Sequence, residues 1–491
     1  MEKEILIYFK MLKDSHYGWI EKPFKKIVKK NIPFSKKIYY GIQKPGLNIR
    51  AILKLYSHFH TLNRNKILIT NQVLHALVYD DLYDIHYILS PNEYNQVMEQ
   101  IFSMDIEALK AKDKIKLSFV LYDSAMWCGD LLYHLFDDDP RFDVNIILSR
   151  RRDITSKAAI RAFEEGVRKL RQAGLKVTVV LPEDDYKVDS DILFFLTPYL
   201  HVLHKAFQPE NLAVTVLVAF VTYGLEITKG GADFGHKIRY FTWHEFADTQ
   251  LYKKNIAKYE YRGDEGVIFT GYPRMDTFYV NNVGNYKWKM VSARAKKFIW
   301  APHWSINDGY LMATFQKNYK WFFDYAQKHP FTTSWVVKPH PNLMDSAIQS
   351  GIFKTENDFQ SYLDAWDNLP NAKVETGAYY QDIFKTSDAM ILDSASFTGE
   401  YQYVHKPELF LMRGTDYFNK IGHEILNDIY KANGDDFTAI QSFIDGIISG
   451  ECTVKSHKAF DCYLDYYHIN GKLASEGIYE AVIKEIEGIV K

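Results

Sequence analysis

From about residue 113 the chain alternates short apolar runs with amphipathic helical stretches, and this alternation constrains the fold more than any other feature. The first series of strand-like runs covers 117–121, 144–148, 177–181, 192–196, 213–217 and 240–242. Helical patterns at 125–136 and 156–173 fall between them, the latter with Ile160, Phe163, Val167 and Leu170 on one face. Apolar runs this short are strands, and runs without a polar face must be covered on both sides. The expected product is a parallel sheet wrapped by helices.

Gly271-Tyr272-Pro273-Arg274 interrupts the series, and a second one follows. Its strands are expected at 298–300, 335–337, 372–374, 389–392 and 408–411. Its helices are expected at 310–328, 379–386 and 396–404, with 436–449 and 473–490 closing the chain. The fold class is therefore α/β, with two Rossmann-like domains facing a cleft. Two such units in series, with no Gly-rich dinucleotide fingerprint, read as a GT-B-like architecture. The expected divisions are a basic, mainly helical region (1–112), an acceptor-side Rossmann-like domain (113–290), a donor nucleotide-binding domain (291–450) and a C-terminal helical segment (451–491).

The net charge of −1 conceals a strong asymmetry. Residues 1–66 hold fifteen Lys and Arg against four acids, a net of +11, so the rest carries −12. Within 22–30, paired lysines alternate with Phe24, Ile27 and Val28, which share one helical face. Such a helix suits an anionic membrane surface, where each Lys adds roughly 1 kcal/mol. No nucleic-acid recognition motif accompanies it. No run approaches the ~18 apolar residues of a spanning helix, and the N-terminus lacks a signal-peptide pattern. The expected location is cytoplasmic, peripheral on the inner face of the cell membrane. Three cysteines without ligand spacing give neither a disulfide framework nor a metal site. No cofactor is expected.

Chemistry-bearing residues concentrate where second-series strands end. Pro302 and His303 follow the first of these strands, and Lys338-Pro339-His340-Pro341 follows the second. Prolines stiffen both turns. Asp393-Ser394-Ala395-Ser396 lies between a strand and a helix, with Glu400 one turn further on. Ligands of open α/β sheets bind outside the carboxyl ends of strands, and helix N-termini attract anions. Lys338, Asp393, Ser394, Ser396 and Glu400 are the donor-binding candidates, with Glu400 reaching ribose hydroxyls. His303 and His340 are catalytic candidates beside them. In the first unit His244 follows a strand and is the candidate general base, oriented by Glu245 or Asp248. His236 competes for that role, and Asp123 and Asp130 are candidates for contact with acceptor hydroxyls. Tyr379 and Tyr380 lie where a nucleobase can stack.

The order Tyr223-Gly224, Trp243-His244, Gly271-Tyr272-Pro273-Arg274, Ala301-Pro302-His303, Lys338-Pro339-His340-Pro341, Ser387-Asp388, Asp393-Ser394-Ala395-Ser396-Phe397, Glu400-Tyr401 and Lys406-Pro407 resembles the CDP-glycerol glycerophosphotransferase family. That family includes teichoic-acid and capsule polymerases. The resemblance covers about 220 to 415. It implies a GT-B fold, a CDP-alditol donor and transfer of glycerol phosphate or ribitol phosphate to a hydroxyl of a cell-surface polymer, releasing CMP. By the same resemblance His244 matches the histidine of the family's Trp-His-Gly-Thr-Pro segment. Lys338 and His340 match the pyrophosphate-contacting turn, and Ser394, Ser396 and Glu400 match the helix start that holds the donor. Two departures mark a divergent branch. Glu245-Phe246-Ala247 replaces Gly-Thr-Pro, and His303 stands where teichoic polymerases more often carry Thr. The alternative is a GT-B glycosyltransferase using a nucleotide sugar for surface polysaccharide. A membrane-associated scaffold without catalysis is a third reading. The expected partners are a CDP-alditol donor, a polysaccharide or lipid-linked acceptor and the anionic membrane, with no nucleic acid.

Overall fold

The computed structural model describes residues 90–488, apart from 155–156, 213–215, 230–233, 282, 308–310, 378 and 415. The basic N-terminal helix expected around 22–30, and with it the proposed membrane contact, lies outside the described residues. Among the described residues no helix is long and apolar enough to cross a membrane.

The first half is a seven-stranded sheet. Its strands are β1 (Ile115–Leu121), β2 (Phe142–Ser149), β3 (Val177–Val180), β4 (Ile192–Phe195), β5 (Leu217–Val221), β6 (Thr242–Ala247) and β7 (Val267–Phe269). The second half has six: β8 (Lys296–Ala301), β9 (Thr333–Val337), β10 (Ala372–Val374), β11 (Ala389–Leu392), β12 (Glu408–Met412) and β13 (Tyr430–Asn433). The spatial orders are β3-β2-β1-β4-β5-β6-β7 and β10-β9-β8-β11-β12-β13. All pairings are parallel. Both follow the 3-2-1-4-5-6 order of a doubly wound sheet, which reverses direction between β1 and β4 and again between β8 and β11. A crevice opens at the carboxyl ends of such strand pairs.

Alternation along each strand builds two layers of core. Phe298 and Trp300 of β8, Trp335 and Val337 of β9, and Ala389 and Ile391 of β11 face an outer cluster with the buried Trp366. The intervening Ile299, Ala301, Val336, Met390 and Leu392 belong to a cluster that continues into the first half. The halves therefore share apolar core. The C-terminal helix Ala474–Glu487 returns to the first half, and its first turn is capped by Asp276, which accepts the N–H groups of Ala474 and Ser475 at 2.9 Å each.

The two Rossmann-like units expected from the sequence are present, and the carboxyl ends of their strands face one another. Loops after β1, β5 and β7 meet loops after β10 and β11, as the contacts below show. This is the GT-B arrangement. Two strands lie later in the chain than expected. The fifth is 217–221, not 213–217, because Leu217-Val218-Ala219-Phe220-Val221 is the stretch buried throughout. The sixth is 242–247, preceded by a 3-10 turn at Lys237–Tyr240.

Candidate active site

The turns after β8 and β9 are stitched together by their backbones. Lys338 N–H donates to the Trp300 carbonyl at 2.8 Å, and His340 N–H to the Pro302 carbonyl at 3.1 Å. This brings the two imidazoles to a ring separation of 5.2 Å, with Trp304 6.0 Å from His340. Each ring is fixed by a local backbone donor. Ser305 N–H donates to His303 Nδ1 at 3.3 Å, and Asn342 N–H to His340 Nδ1 at 3.1 Å. A backbone N–H can only donate, so both Nδ1 atoms are bare and the protons sit on Nε2. Burial depresses His303 to about 3. His340 is pushed well below the usual range by burial, then by His303 and Lys338. Both histidines are neutral at physiological pH. They offer paired Nε2–H donors.

Lys338 supplies charge. It is 7% exposed, and among the described residues its ammonium has neither a hydrogen-bond acceptor nor an ion pair. The face of Tyr380 lies 5.9 Å from it. Burial is the main cause of a depression to about 8, opposed by Glu375, reinforced by Arg274 and Lys169, and opposed by Asp123. Asp123 and Lys169 belong to the first half, so the ammonium stands at the cleft. A buried cation without a counter-ion is costly, and a bound anion relieves it.

Asp393 has a different role from the one expected. Its carboxylate is 1% exposed and accepts the His303 N–H at 2.5 Å, the Thr314 hydroxyl at 2.7 Å and the Thr314 N–H. These donors fill it. Asp393 holds the turn that carries His303 and has no free edge for a donor molecule. Ser394 is the N-cap of the helix Ala395–Glu400, so that helix starts one residue before Ser396. Ser394 and Ser396 are half-buried, and Gly224 of the first half comes so close to Ser396 that an added Cβ would lie 3.3 Å from its hydroxyl.

Glu400 is buried and accepts the Tyr380 hydroxyl proton. Burial raises it to about 7, against Arg274, the Tyr380 hydrogen bond and Lys338, all of which favour the carboxylate. A carboxyl whose folded value exceeds its unfolded one stabilises the fold fully below pH ~4.5, and this is lost as pH rises through 7. Glu400→Gln keeps an oxygen for Tyr380 and removes the titration. Its melting temperature is expected to exceed that of the wild type above pH 7 and to converge with it near pH 4.5, the full difference corresponding to roughly 3 kcal/mol. Parallel pH–melting curves would contradict this.

His244 is not brought to this group. It lies within β6, not after a strand, paired in register with Ala219. Its Nδ1 is 3.3 Å from the Gly266 carbonyl, and its Nε2 is 3.4 Å from Glu485 of the C-terminal helix. Neighbouring strand residues point to opposite faces, so Glu245 cannot orient it. Glu245 instead pairs with the buried Arg239 at 3.0 Å and accepts the Tyr252 hydroxyl at 3.0 Å. Asp248 accepts the Glu226 N–H at 2.6 Å. His236 packs edge-on to Tyr199 at 5.2 Å.

Three participants were not singled out for these roles by the sequence. Arg274 is buried and links the halves. One of its nitrogens donates to the carbonyls of Ala125 (2.7 Å) and Trp127 (2.8 Å), and the other to the Tyr380 hydroxyl (2.7 Å). Tyr380 packs against Phe384 and Phe397 and is not exposed for stacking. Tyr379 is 44% exposed and reaches Asp130 at 3.4 Å, while Trp127 Nε1 donates to the same carboxylate at 2.7 Å. The Gly271-Tyr272-Pro273-Arg274 turn was visible as a break, but nothing local says where its arginine goes. Among the described residues no group of three His, Cys, Asp or Glu side chains is arranged to hold a metal ion.

No protein-family model and no curated protein sequence matches the chain. Solved structures of similar shape include an S. aureus MnaA–UDP complex (13% identity, 77% of this chain and 98% of that one, TM-score 0.47). The wall teichoic acid polymerase TagF, as a variant, is similar at 12% identity over 87% and 99%, with a TM-score of 0.46. UDP-GlcNAc 2-epimerase from Neisseria meningitidis, bound to UDP-GlcNAc, is similar at 14% identity over 76% and 100%, with a TM-score of 0.44. At these scores the likenesses carry nothing about chemistry.

Proposed function

We propose that this chain is a transferase that moves an alditol phosphate from a CDP-alditol to a hydroxyl of a cell-surface polysaccharide or teichoic-acid-like acceptor, releasing CMP. The observation that carries the reading is Lys338, a buried lysine at the carboxyl end of β9 whose ammonium has no ion-pair partner among the described residues. Two neutral imidazoles with free Nε2–H groups lie on the adjoining turns. A fixed cation with paired neutral donors suits a pyrophosphate, whose charge grows on the leaving group as the bond breaks. The motif order of the second half supports cytidine and an alditol as the rest of the donor.

In this reaction the acceptor oxygen attacks the alditol-bearing phosphorus, a new P–O bond forms, and the bond to the CMP oxygen breaks. Lys338, His303 and His340 hold the departing charge. Ser394 and Ser396 line the donor side, and Glu400 faces the ribose. His244 lies within β6 beside Gly266 and Glu485, so the proton-acceptor role passes to the first-half carboxylate Asp123, whose charge acts on Lys338 and which takes the proton of the acceptor hydroxyl. The basic N-terminal region holds the enzyme to the inner membrane face, where a lipid-linked acceptor resides.

The test is product analysis with a membrane fraction as acceptor. CDP-glycerol or CDP-ribitol is expected to yield CMP and an acid-labile phosphodiester polymer, and Asp123→Asn to slow this by a hundredfold or more. Turnover of a UDP-sugar to UDP and a glycoside, with cytidine donors untouched, would replace this reading with a nucleotide-sugar glycosyltransferase. Absence of turnover with every donor would leave a scaffold.

A further inference from the structure

The hydrogen bonds around Tyr380 run in one direction only. Arg274 has no acceptor atom, so Tyr380 must accept from it, and the single phenolic proton is left for Glu400. At the other end Arg274 is anchored by two first-half carbonyls, Ala125 and Trp127, in the loop between Asp123 and Asp130. Within 4.0 Å Arg274 has no carboxylate partner among the described residues, so its nearest counter-charge reaches it through the tyrosine hydroxyl. The Tyr380 ring also lies under both cations, 5.3 Å from the Arg274 guanidinium carbon and 5.9 Å from Lys338 Nζ. One tyrosine thus touches every charged group of the donor site. Chains of this kind polarise along their length.

We infer that Arg274 is a positioning residue that acts through Tyr380 to keep Glu400 an oriented carboxylate for the donor's ribose, and so ties the donor site to the acceptor-side loop 123–130. The inference rests on the proposed nucleotide-donor reading. It goes beyond that reading in assigning a first-half residue to a second-half site.

The titratable groups electrostatically coupled to Glu400 come from four elements. They are Arg274 and Tyr272 after β7, Cys128 after β1, Lys338 after β9 and Tyr380 after β10. Cys128 and Tyr272 are buried and held in their neutral forms, so the charges are those of Arg274 and Lys338. The Tyr380 hydrogen bond favours the Glu400 carboxylate, and its loss moves the titration of Glu400 upward.

The experiment is calorimetric titration of the full chain with CDP, UDP and inorganic pyrophosphate between pH 5.5 and 8.5, using wild type, Tyr380→Phe and Arg274→Lys. In the wild type, nucleotide affinity is expected to fall as pH drops through about 7, as Glu400 gains its proton. Tyr380→Phe retains the ring under Lys338 and removes only the hydroxyl. It is expected to move this acid limb to higher pH and to lower nucleotide affinity about tenfold relative to the wild type at pH 7.5, with the ratio recovering toward pH 8.5. Pyrophosphate has no ribose, so its affinity for Tyr380→Phe is expected to match that for the wild type at each pH. Arg274→Lys is expected to shift the limb in the same direction. A wild-type acid limb in Tyr380→Phe overturns the inference. So does a loss that is equal for nucleotide and pyrophosphate and independent of pH, which would mark support of the fold alone. Wild-type protein that binds pyrophosphate but no nucleotide would remove the donor reading itself, and the positioning role with it.

Discussion

Lys338→Met is expected to lower nucleoside diphosphate affinity by about ten- to a hundredfold, the worth of one charge-assisted phosphate contact, while making the unliganded protein more stable. The two effects share a cause. Lys338 falls from 10.5 unfolded to about 8 folded, chiefly because it is buried. A lysine depressed in this way opposes folding wherever both states are protonated, which is below about pH 8. The penalty fades as pH rises from 8 toward 10.5. Its full size corresponds to roughly 3 kcal/mol. Methionine fills a similar volume without the charge, so the variant should melt several degrees above wild type at pH 7 and lose that advantage near pH 10.5. Thermal unfolding across pH, with and without CDP, checks both halves. A structural lysine would behave in the opposite way, with its removal costing stability and leaving ligand affinity alone.

Asp393→Ala is expected to be among the most destabilising single changes in the second half, by roughly 3 kcal/mol or more. It leaves the N–H groups of His303 and Thr314 and the Thr314 hydroxyl without an acceptor in a buried site. The His303 turn then loses its anchor, so nucleotide binding should fall with stability. Asp393→Asn separates the two ways in which this residue acts. Its amide oxygen still accepts, but one side of the carboxylate becomes a donor facing donors, so a smaller loss is expected. Burial raises Asp393 to about 6 in the folded protein, so its contribution to stability is present below pH ~3.8 and lost as pH rises through 6. That dependence should vanish in Asp393→Asn. Denaturant unfolding at pH 4.5 and 7.5 distinguishes these outcomes. Wild-type stability in Asp393→Ala would show that the carboxylate does not hold the turn.

The sequence was most legible where strands are central. The central β11 begins and ends where its apolar run does, and β1, β2, β4, β8 and β9 differ by a few residues at their ends, while the edge strands β3 and β10 were also legible. Central strands of a covered parallel sheet are apolar on both faces, and that signal needs no context. Two of the four edge strands lack it. β7 and β13 close the two sheets, and Tyr430-Lys431-Ala432-Asn433 buries only Ala432, so neither was expected. The helices Leu343–Gln349 and Glu356–Asn368 were missed as well. At the site, His303, Lys338 and His340 were legible because a proline-stiffened turn after a strand fixes where a side chain emerges. Asp393 was found but given the wrong role, since its partners Thr314 and His303 lie 79 and 90 positions away. His244 was misplaced with the boundaries of β6, because a shift along the strand changes both face and depth. Arg274 and Tyr380, separated by 106 positions, meet only through tertiary packing.

The most direct test of the central claim is a thermal-shift comparison of wild type and Lys338→Met against CMP, CDP, CDP-glycerol, CDP-ribitol, UDP and UDP-sugars. A ligand of the native state raises the melting temperature according to its excess over Kd. Cytidine diphosphates and CDP-alditols are expected to stabilise the wild type, CMP less, and Lys338→Met is expected to lose the response. Stabilisation equal in both proteins, or by no nucleotide at all, would contradict a donor site built around Lys338.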